Sequence, residues 1–385
     1  TPLLAYPPCP TPPARWCRAC AAVLISTLPF TTAQGATQNW ISGNVVWDTS
    51  LPHWSTDTVT SELWVNGNDA IFNPGTGIVI IGPGGVEASS LEFNTTATIA
   101  GNQLSLTGDG NLDANSNEVG TIESIIAGNS GIIVGSHANG TIILAGANTY
   151  TGITGIQNSS WLGVEDDLAL GSPSDGTIVE DGATLSLGSI TISDEPLQIA
   201  GSGTPASGGA LYVSNFITQA VYNGPISLAA DARIGSTGEL ILNGTIDTSD
   251  ATLTINATAS GTIELNGSVT GNASGFDDDV LIGGGGTVTM SAANTYQGTT
   301  SITNGTRVLL SAANALPTAN GRSSLAMDAT GQGGSTLDIS GTSQSIASLT
   351  GEPTSTIILG SSDLTIGHGS GINANGEAGA NFQGV

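Results

Sequence analysis

Thirteen residues, Gly-Thr-Ile-Ile-Leu-Ala-Gly-Ala-Asn-Thr-Tyr-Thr-Gly at 140–152, return as Gly-Thr-Val-Thr-Met-Ser-Ala-Ala-Asn-Thr-Tyr-Gln-Gly at 286–298. Each copy joins a short alternating apolar run to small residues, an Asn-Thr-Tyr corner and a glycine. Repetition of this kind suits stacked coils, in which each unit buries its apolar face against its neighbours, better than a closed active-site domain.

The rest of the chain has a matching rhythm. Leu185 and Leu187, Ile190 and Ile192, Leu240 and Leu242, Leu253 and Ile255, Ile263 and Leu265, Val288 and Met290, and Leu364 and Ile366 alternate with polar or small residues. Alternation with period two points both members of each pair to one side of a strand. Asn-Gly pairs at Asn66, Asn139, Asn223, Asn243, Asn266, Asn304, Asn320 and Asn375 predict turns with positive φ. No dozen-residue segment carries a helical stripe. Aromatics make up 4% of the 385 residues and charged residues 9%, whereas there are 55 Gly. A slender core of Ile, Leu, Val and Ala is therefore expected, as in a right-handed, single-stranded parallel β-helix, in which like side chains stack at roughly 4.8 Å. Antiparallel sandwiches and barrels also use short strands, but the long-period repeat and the lack of an aromatic core favour the solenoid.

Two end segments depart from this pattern. Residues 1–35 read as a Pro-rich start plus a Sec-type signal peptide, with Arg15 and Arg18 before the apolar run from Ala19 to Leu28 and small residues near Ala33 and Gly35 for cleavage. Cys9, Cys17 and Cys20 all fall in it, and no second Cys pair or His cluster follows at zinc-site spacing. Residues 36–78 hold Trp40, Trp47, Trp54 and Trp64. Exposed rings there could stack on sugars; the stronger expectation is a cap closing the apolar end of the first coils.

The formal charge of −26, with no lysine and five arginines, argues against nucleic acid and anionic membrane surfaces as partners, because both are held through Lys and Arg. Spread acids of this kind normally keep a surface soluble, and a monomer is expected.

The Asn-Thr-Tyr units resemble the autotransporter-associated β-strand repeat, also called the passenger-associated transport repeat. The first copy runs on through Ile153, Ile156 and Leu162 to the Asp-Leu-Ala-Leu-Gly at 167–171, and the second through Thr299, Ile302 and Val308 to the Asn-Ala-Leu at 314–316. Asn148, Thr149, Tyr150, Gly152, Asn294, Thr295, Tyr296 and Gly298 are the matching corner positions. Ser-Ala-Ala before Asn294 and Gln297 depart from the pattern. The resemblance implies a β-helical passenger over 79–385, with repeats near 140–171 and 286–316, exported to the outer surface of a Gram-negative-type bacterium. It further implies that the repeats assist outer-membrane passage and extracellular folding. The ending at 379–385 looks like the approach to another repeat, so a translocator or sorting segment is expected beyond Val385.

Catalytic signals are thin. Glu165-Asp166-Asp167 and Asp277-Asp278-Asp279 are the densest acid clusters, and two acids facing one groove would suit glycoside hydrolysis. Without Lys, lyase chemistry is disfavoured, and His53, His137 and His368 sit in no triad pattern. Asp109, Asn111 and Asp113 offer oxygens at alternate positions, like the start of a calcium loop, but Ala114 and Gly120 occupy the positions of its Gly and Glu. No cofactor is expected beyond weak calcium. Three readings stand: a structural and adhesive surface passenger that contacts a polysaccharide or cell-surface ligand, which leads; a polysaccharide-degrading β-helix; and a spacer or export module.

Overall fold

A computed structural model describes residues 35–43, 45–135, 140–249, 251–271, 279–317, 323–328, 334–367 and 380–383. All regular elements among them are strands. Residues 1–34 of the expected signal segment, with the cysteines, and His137, His368, Asp277 and Asp278 lie outside these residues.

Parallel pairing between one coil and the next builds the fold. Thr141–Leu144 lies between Val119–Ile122 and Trp161–Val164, and its ladder continues through Thr184–Leu187 to Leu211–Val213. A second ladder climbs through Ile132–Val134, Thr154–Ile156, Thr177–Val179, Leu197–Gly201 and Ile226–Ser236. A third runs from Ala220–Tyr222 through Glu239–Leu242, Thr262–Leu265, Thr287–Met290 and Arg307–Leu310 to Thr336–Asp338. Partners such as Thr141 and Trp161, Leu91 and Leu112, or Leu240 and Ile263 lie 20 to 23 residues apart, and the coil widens to 27 at Leu253 and Val280 and to 29 at Val308 and Leu337. The architecture is a parallel β-solenoid, as the alternation predicts.

Its core is a set of vertical aliphatic columns. Ile142, Leu162, Leu185 and Leu211 stand in register, as do Leu240, Ile263, Val288, Val308 and Leu337, and all are buried. Each buried Leu or Ile contributes roughly 1.5–3 kcal/mol by leaving water, so a thin core suffices when every coil repeats it.

Antiparallel pairing is found at Thr37–Trp40 with Trp54–Ser55 and at Asp363–Ile366 with Ala380–Gln383. The first of these folds the tryptophans together. The Trp54 ring centroid lies 4.5 Å from Trp64, 4.9 Å from Trp47 and 5.1 Å from Trp40, and Phe72 stacks on Phe93 at 5.1 Å. All six rings are buried. They form the cap of the N-terminal coils, and no ring face is left for a sugar.

The Asn-Gly pairs at Asn139, Asn320 and Asn375 lie outside the described residues, and those within them divide into two kinds. Gly67, Asn304 and Gly305 take the positive φ that such pairs predict. Asn223-Gly224, Asn243-Gly244 and Asn266-Gly267 do not. These three stand one above another instead, with Asn243 Nδ2 donating to Asn223 Oδ1 at 2.7 Å and Asn266 Nδ2 to Asn243 Oδ1 at 3.0 Å. A Cβ at Gly244 would run into the Gly224 carbonyl, and one at Gly267 into that of Gly244. Glycine is needed there for close stacking of coils, not for a turn.

Candidate functional site

The two Asn-Thr-Tyr corners have the same construction. Asn148 Oδ1 accepts from Ile126 N at 2.8 Å in the coil before, while its Nδ2 donates to the Ala169 carbonyl at 2.6 Å in the coil after. Asn294 does the same, accepting from Val269 N at 2.7 Å and donating to Ala315 O at 2.6 Å. Backbone bonds flank both amides: Asn148 N donates to Leu168 O, Thr149 N to Ile126 O, Asn294 N to Asn314 O and Thr295 N to Val269 O. Each buried amide therefore ties three successive coils together.

The tyrosines complete the corner. Tyr150 Oη and Thr154 Oγ1 share a hydrogen bond of 2.6 Å; Tyr296 and Thr300 share one of 2.7 Å. Both rings are fully buried, which pushes their phenol pKa values upward by desolvation. Thr154 and Thr177 together interrupt an aliphatic column between Ile132 and Leu197, and the Thr154 hydroxyl is the buried partner of the Tyr150 phenol. Ile153, through which the first copy runs, is 41% exposed, because the corner puts Thr154 and Ile156 on the inner face. Gly152 packs so tightly on the Gly131 backbone that a Cβ would collide with it.

One carboxylate also enters this interior. Glu195 is 3% exposed, and its Oε1 accepts from Thr177 Oγ1 at 2.7 Å. Tyr222 Oη donates to the Glu195 carbonyl at 2.8 Å. Burial pushes the Glu195 carboxyl up to about 7, against which the Thr177 hydrogen bond acts. The same carboxylate adds to the upward shift of Tyr150 and Tyr222. Glu195 escaped the sequence reading because a Glu-Pro pair signals a turn, and burial is invisible in it.

Other candidates fall in different places. Asp166 Oδ1 accepts from Leu168 N at 2.9 Å and Asp167 Oδ1 from Thr191 N at 2.7 Å, so this cluster braces turns. Asp279 likewise accepts from Thr299 N at 2.6 Å. His53 packs on Trp40 and hydrogen bonds with Ser42 Oγ at 3.0 Å. Asp109, Asn111 and Asp113 belong to the strand Leu104–Ala114, which bends where Gly108 and Gly110 take positive φ on either side of Asp109. Beyond the bend Asn111 and Asp113 pair with Ser90 and Glu92, with the buried Leu112 between them. Among the described residues, no three His, Cys, Asp or Glu side chains gather as metal ligands, and no helix is long and apolar enough to cross a membrane. A groove of about 480 Å³ lies over Thr177–Val179 and Leu197–Gly201, rimmed by Pro196 and Pro225 and including Asp175 and Asp247.

A β-solenoid with these corners is the class that fold and site define. No family model matches the chain. It is similar to the adhesin BmaC autotransporter of Brucella suis biovar 1 (strain 1330), with 28% identity over 303 residues. That match covers 69% of this chain and 9% of the relative, so the chain corresponds to a small part of that protein. No solved structure matches. The similarity and the solenoid together fit an autotransporter passenger.

Proposed function

We propose that this chain is part of a surface passenger with an adhesive role, held outside the cell of a Gram-negative-type bacterium. The observation that carries the reading is the similarity to an autotransporter adhesin over a stretch long enough to hold many coils. The fold supports it physically: each coil offers the next a row of unpaired strand groups, so a chain emerging through the outer membrane can fold coil upon coil. The Asn148 and Asn294 amides bind the coil before and the coil after, which suits them to hold newly added coils during passage.

Beads coated with the whole chain test the reading. They are expected to adhere to host-type or bacterial cells more than albumin-coated beads do. Equal adherence on all surfaces would remove the adhesive role, and release of reducing sugar from polysaccharide by the purified chain would replace it with an enzymatic one.

A further inference from the structure

The Asn-Gly pairs differ in chemistry as well as in shape. The side-chain amide carbon of an asparagine is open to attack by the backbone nitrogen of the next residue, and glycine, having no Cβ, shields that nitrogen least. This attack helps to make asparagine thermolabile. It needs a side-chain amide free to turn and a following N–H free of other bonds. Four of the described pairs fail at least one condition. Asn66 Oδ1 accepts from Glu87 N at 3.1 Å, and Gly67 N donates to Glu87 O at 3.0 Å. Asn243 is held at both ends of its amide by Asn223 and Asn266, so every member of that ladder is tied. Gly267 N also donates to Leu242 O at 3.3 Å.

Asn304 and Gly305 meet both conditions. They take φ of 61° and 69° in the exposed turn between Thr299–Ile302 and Arg307–Leu310. Thr306 N closes that turn by donating to Thr303 O at 3.3 Å, and neither the Asn304 amide nor the Gly305 N–H makes a hydrogen bond among the described residues. Asn304 Nδ2 lies over Gly283, 3.4 Å from where a Cβ would sit there, and Gly284 and Gly285 follow. The backbone beneath the amide therefore carries no side chains to pin it. A Cβ at Gly305 would meet nothing within 4 Å, so the attacking nitrogen stands in open space.

The first Asn-Thr-Tyr copy contains the same turn in a protected form. At the equivalent positions stand Asn158 and Ser159, with φ of 55° and 62°, and Ser160 N donates to Gln157 O at 3.1 Å as Thr306 N does to Thr303 O. There Asn158 Nδ2 donates to Gly135 O at 2.8 Å, which holds the amide against the coil before. Ser159 also places a side chain beside the attacking nitrogen. One fold thus presents the same turn twice, once locked and once free.

We propose that Asn304 is a self-modifying site, converted without an enzyme to aspartate and isoaspartate while the other described Asn-Gly pairs persist. The Gly305 nitrogen forms a bond to Asn304 Cγ, the bond from Cγ to Nδ2 breaks, and the nitrogen's proton passes through water to the departing ammonia. Water then opens the resulting succinimide at either carbonyl. Opening at one returns the ordinary main chain with a carboxylate; opening at the other leaves the main chain one carbon longer. Both products add a negative charge to a chain already at −26. The longer product also disturbs the Thr306 turn, whose Oγ1 accepts from Gly285 N in the coil before at 3.0 Å. The second repeat therefore carries a slow chemical clock on one of its ties between coils. This site is independent of the adhesive reading.

The test ages the whole chain in mildly alkaline buffer and follows each asparagine by peptide mass mapping, with chromatography separating aspartate from isoaspartate. Conversion at Asn304 is expected to outpace that at Asn66, Asn158, Asn223, Asn243 and Asn266 by at least about tenfold, and Gly305→Ser should slow it by about as much. Because Ser159 takes the same φ in the first copy, Gly305→Ser keeps the turn, which circular dichroism checks. In concentrated urea the Asn-Gly pairs should convert at similar rates. Equal rates in the folded chain, or an unchanged rate in Gly305→Ser, would overturn the site. Aspartate without isoaspartate would mean direct hydrolysis and remove the attack by Gly305. Selectivity that survives in urea would trace to local sequence and remove the role of the fold.

Discussion

At the scale of single residues, the polar groups of the corners carry more consequence than the aliphatic ones, because Asn148 and Asn294 hold buried partners that cannot turn to water. Removing the Asn148 amide strands the Ile126 N–H and the Ala169 carbonyl in a buried corner. Each orphan costs about 1–3 kcal/mol, so Asn148→Ala is expected to lower stability by roughly 2–4 kcal/mol in urea titration. Asn294→Ala should cost a similar amount, since its two bonds repeat within about 0.1 Å. Equality with a surface Asn→Ala would mean that the corner amides are ornamental. Glu195 works in the opposite sense. Its carboxyl titrates near 4.5 when unfolded and about 7 when folded, so the folded state binds the extra proton. Its contribution is complete below pH 4.5, declines as pH rises to 7 and is gone above it. Glu195→Gln keeps an oxygen to accept from Thr177 and removes the charge. The variant should therefore match the parent at pH 4 and exceed it at pH 8 by roughly 3 kcal/mol or less, read from urea midpoints at the two pH values. A parent and variant with parallel pH profiles would show that Glu195 stays charged and solvated.

Elements in this molecule are held as much by corners as by strands. Asn39, Asn73, Asn94 and Asn115 form a ladder, each amide donating to the one in the coil before, at 3.0, 3.3 and 2.6 Å. A middle rung makes two such bonds and an end rung one, so Asn94→Ala is expected to cost about twice as much as Asn115→Ala, each bond being worth roughly 0.5–1.5 kcal/mol. Thermal melts of the two variants decide it, and a larger loss at Asn115 would count against the ladder. The 21-residue interval of Asn73, Asn94 and Asn115 is present in the sequence and states the length of those coils directly, while Asn39 stands 34 residues before Asn73 across the longer first coil. It went unread because an asparagine in a Gly-rich chain looks like a turn former, and the Asn-Gly pairs at 223, 243 and 266 were assigned positive φ on that ground. Alternation, by contrast, was fully legible: Leu240 with Leu242 and Ile263 with Leu265 are inward as read. Local pattern reveals which face a side chain takes, whereas what it meets depends on the coil above. The corner tyrosines show the same limit. Tyr150 was readable as structural, but its hydrogen bond to Thr154, and the Glu195 carboxylate near it, needed the stack.

For the whole molecule, stacking makes stability nearly one-dimensional: a coil touches its two neighbours, and strain or disorder passes along the axis by those contacts. The N-terminal end of the solenoid shows how an end is managed. Its first strands would present an open apolar column, and four tryptophans close it, although Trp47 Nε1 and Trp54 Nε1 find no hydrogen-bond partner among the described residues. Two unsatisfied indoles are tolerated because the rings supply apolar bulk that a coil of Ile and Val lacks. Trp54 is central, touching Trp40, Trp47, Trp64 and Phe72. Trp54→Ala is expected to cost about 3–5 kcal/mol in the cap, and the damage should fade with distance. Hydrogen exchange followed by mass spectrometry should show lost protection in Asp69–Phe72 and Val86–Phe93, with Thr262–Leu265 and Thr287–Met290 unchanged. Uniform loss along the chain would mean that the solenoid opens as one cooperative unit, and coil-by-coil folding during export would then lose its physical basis.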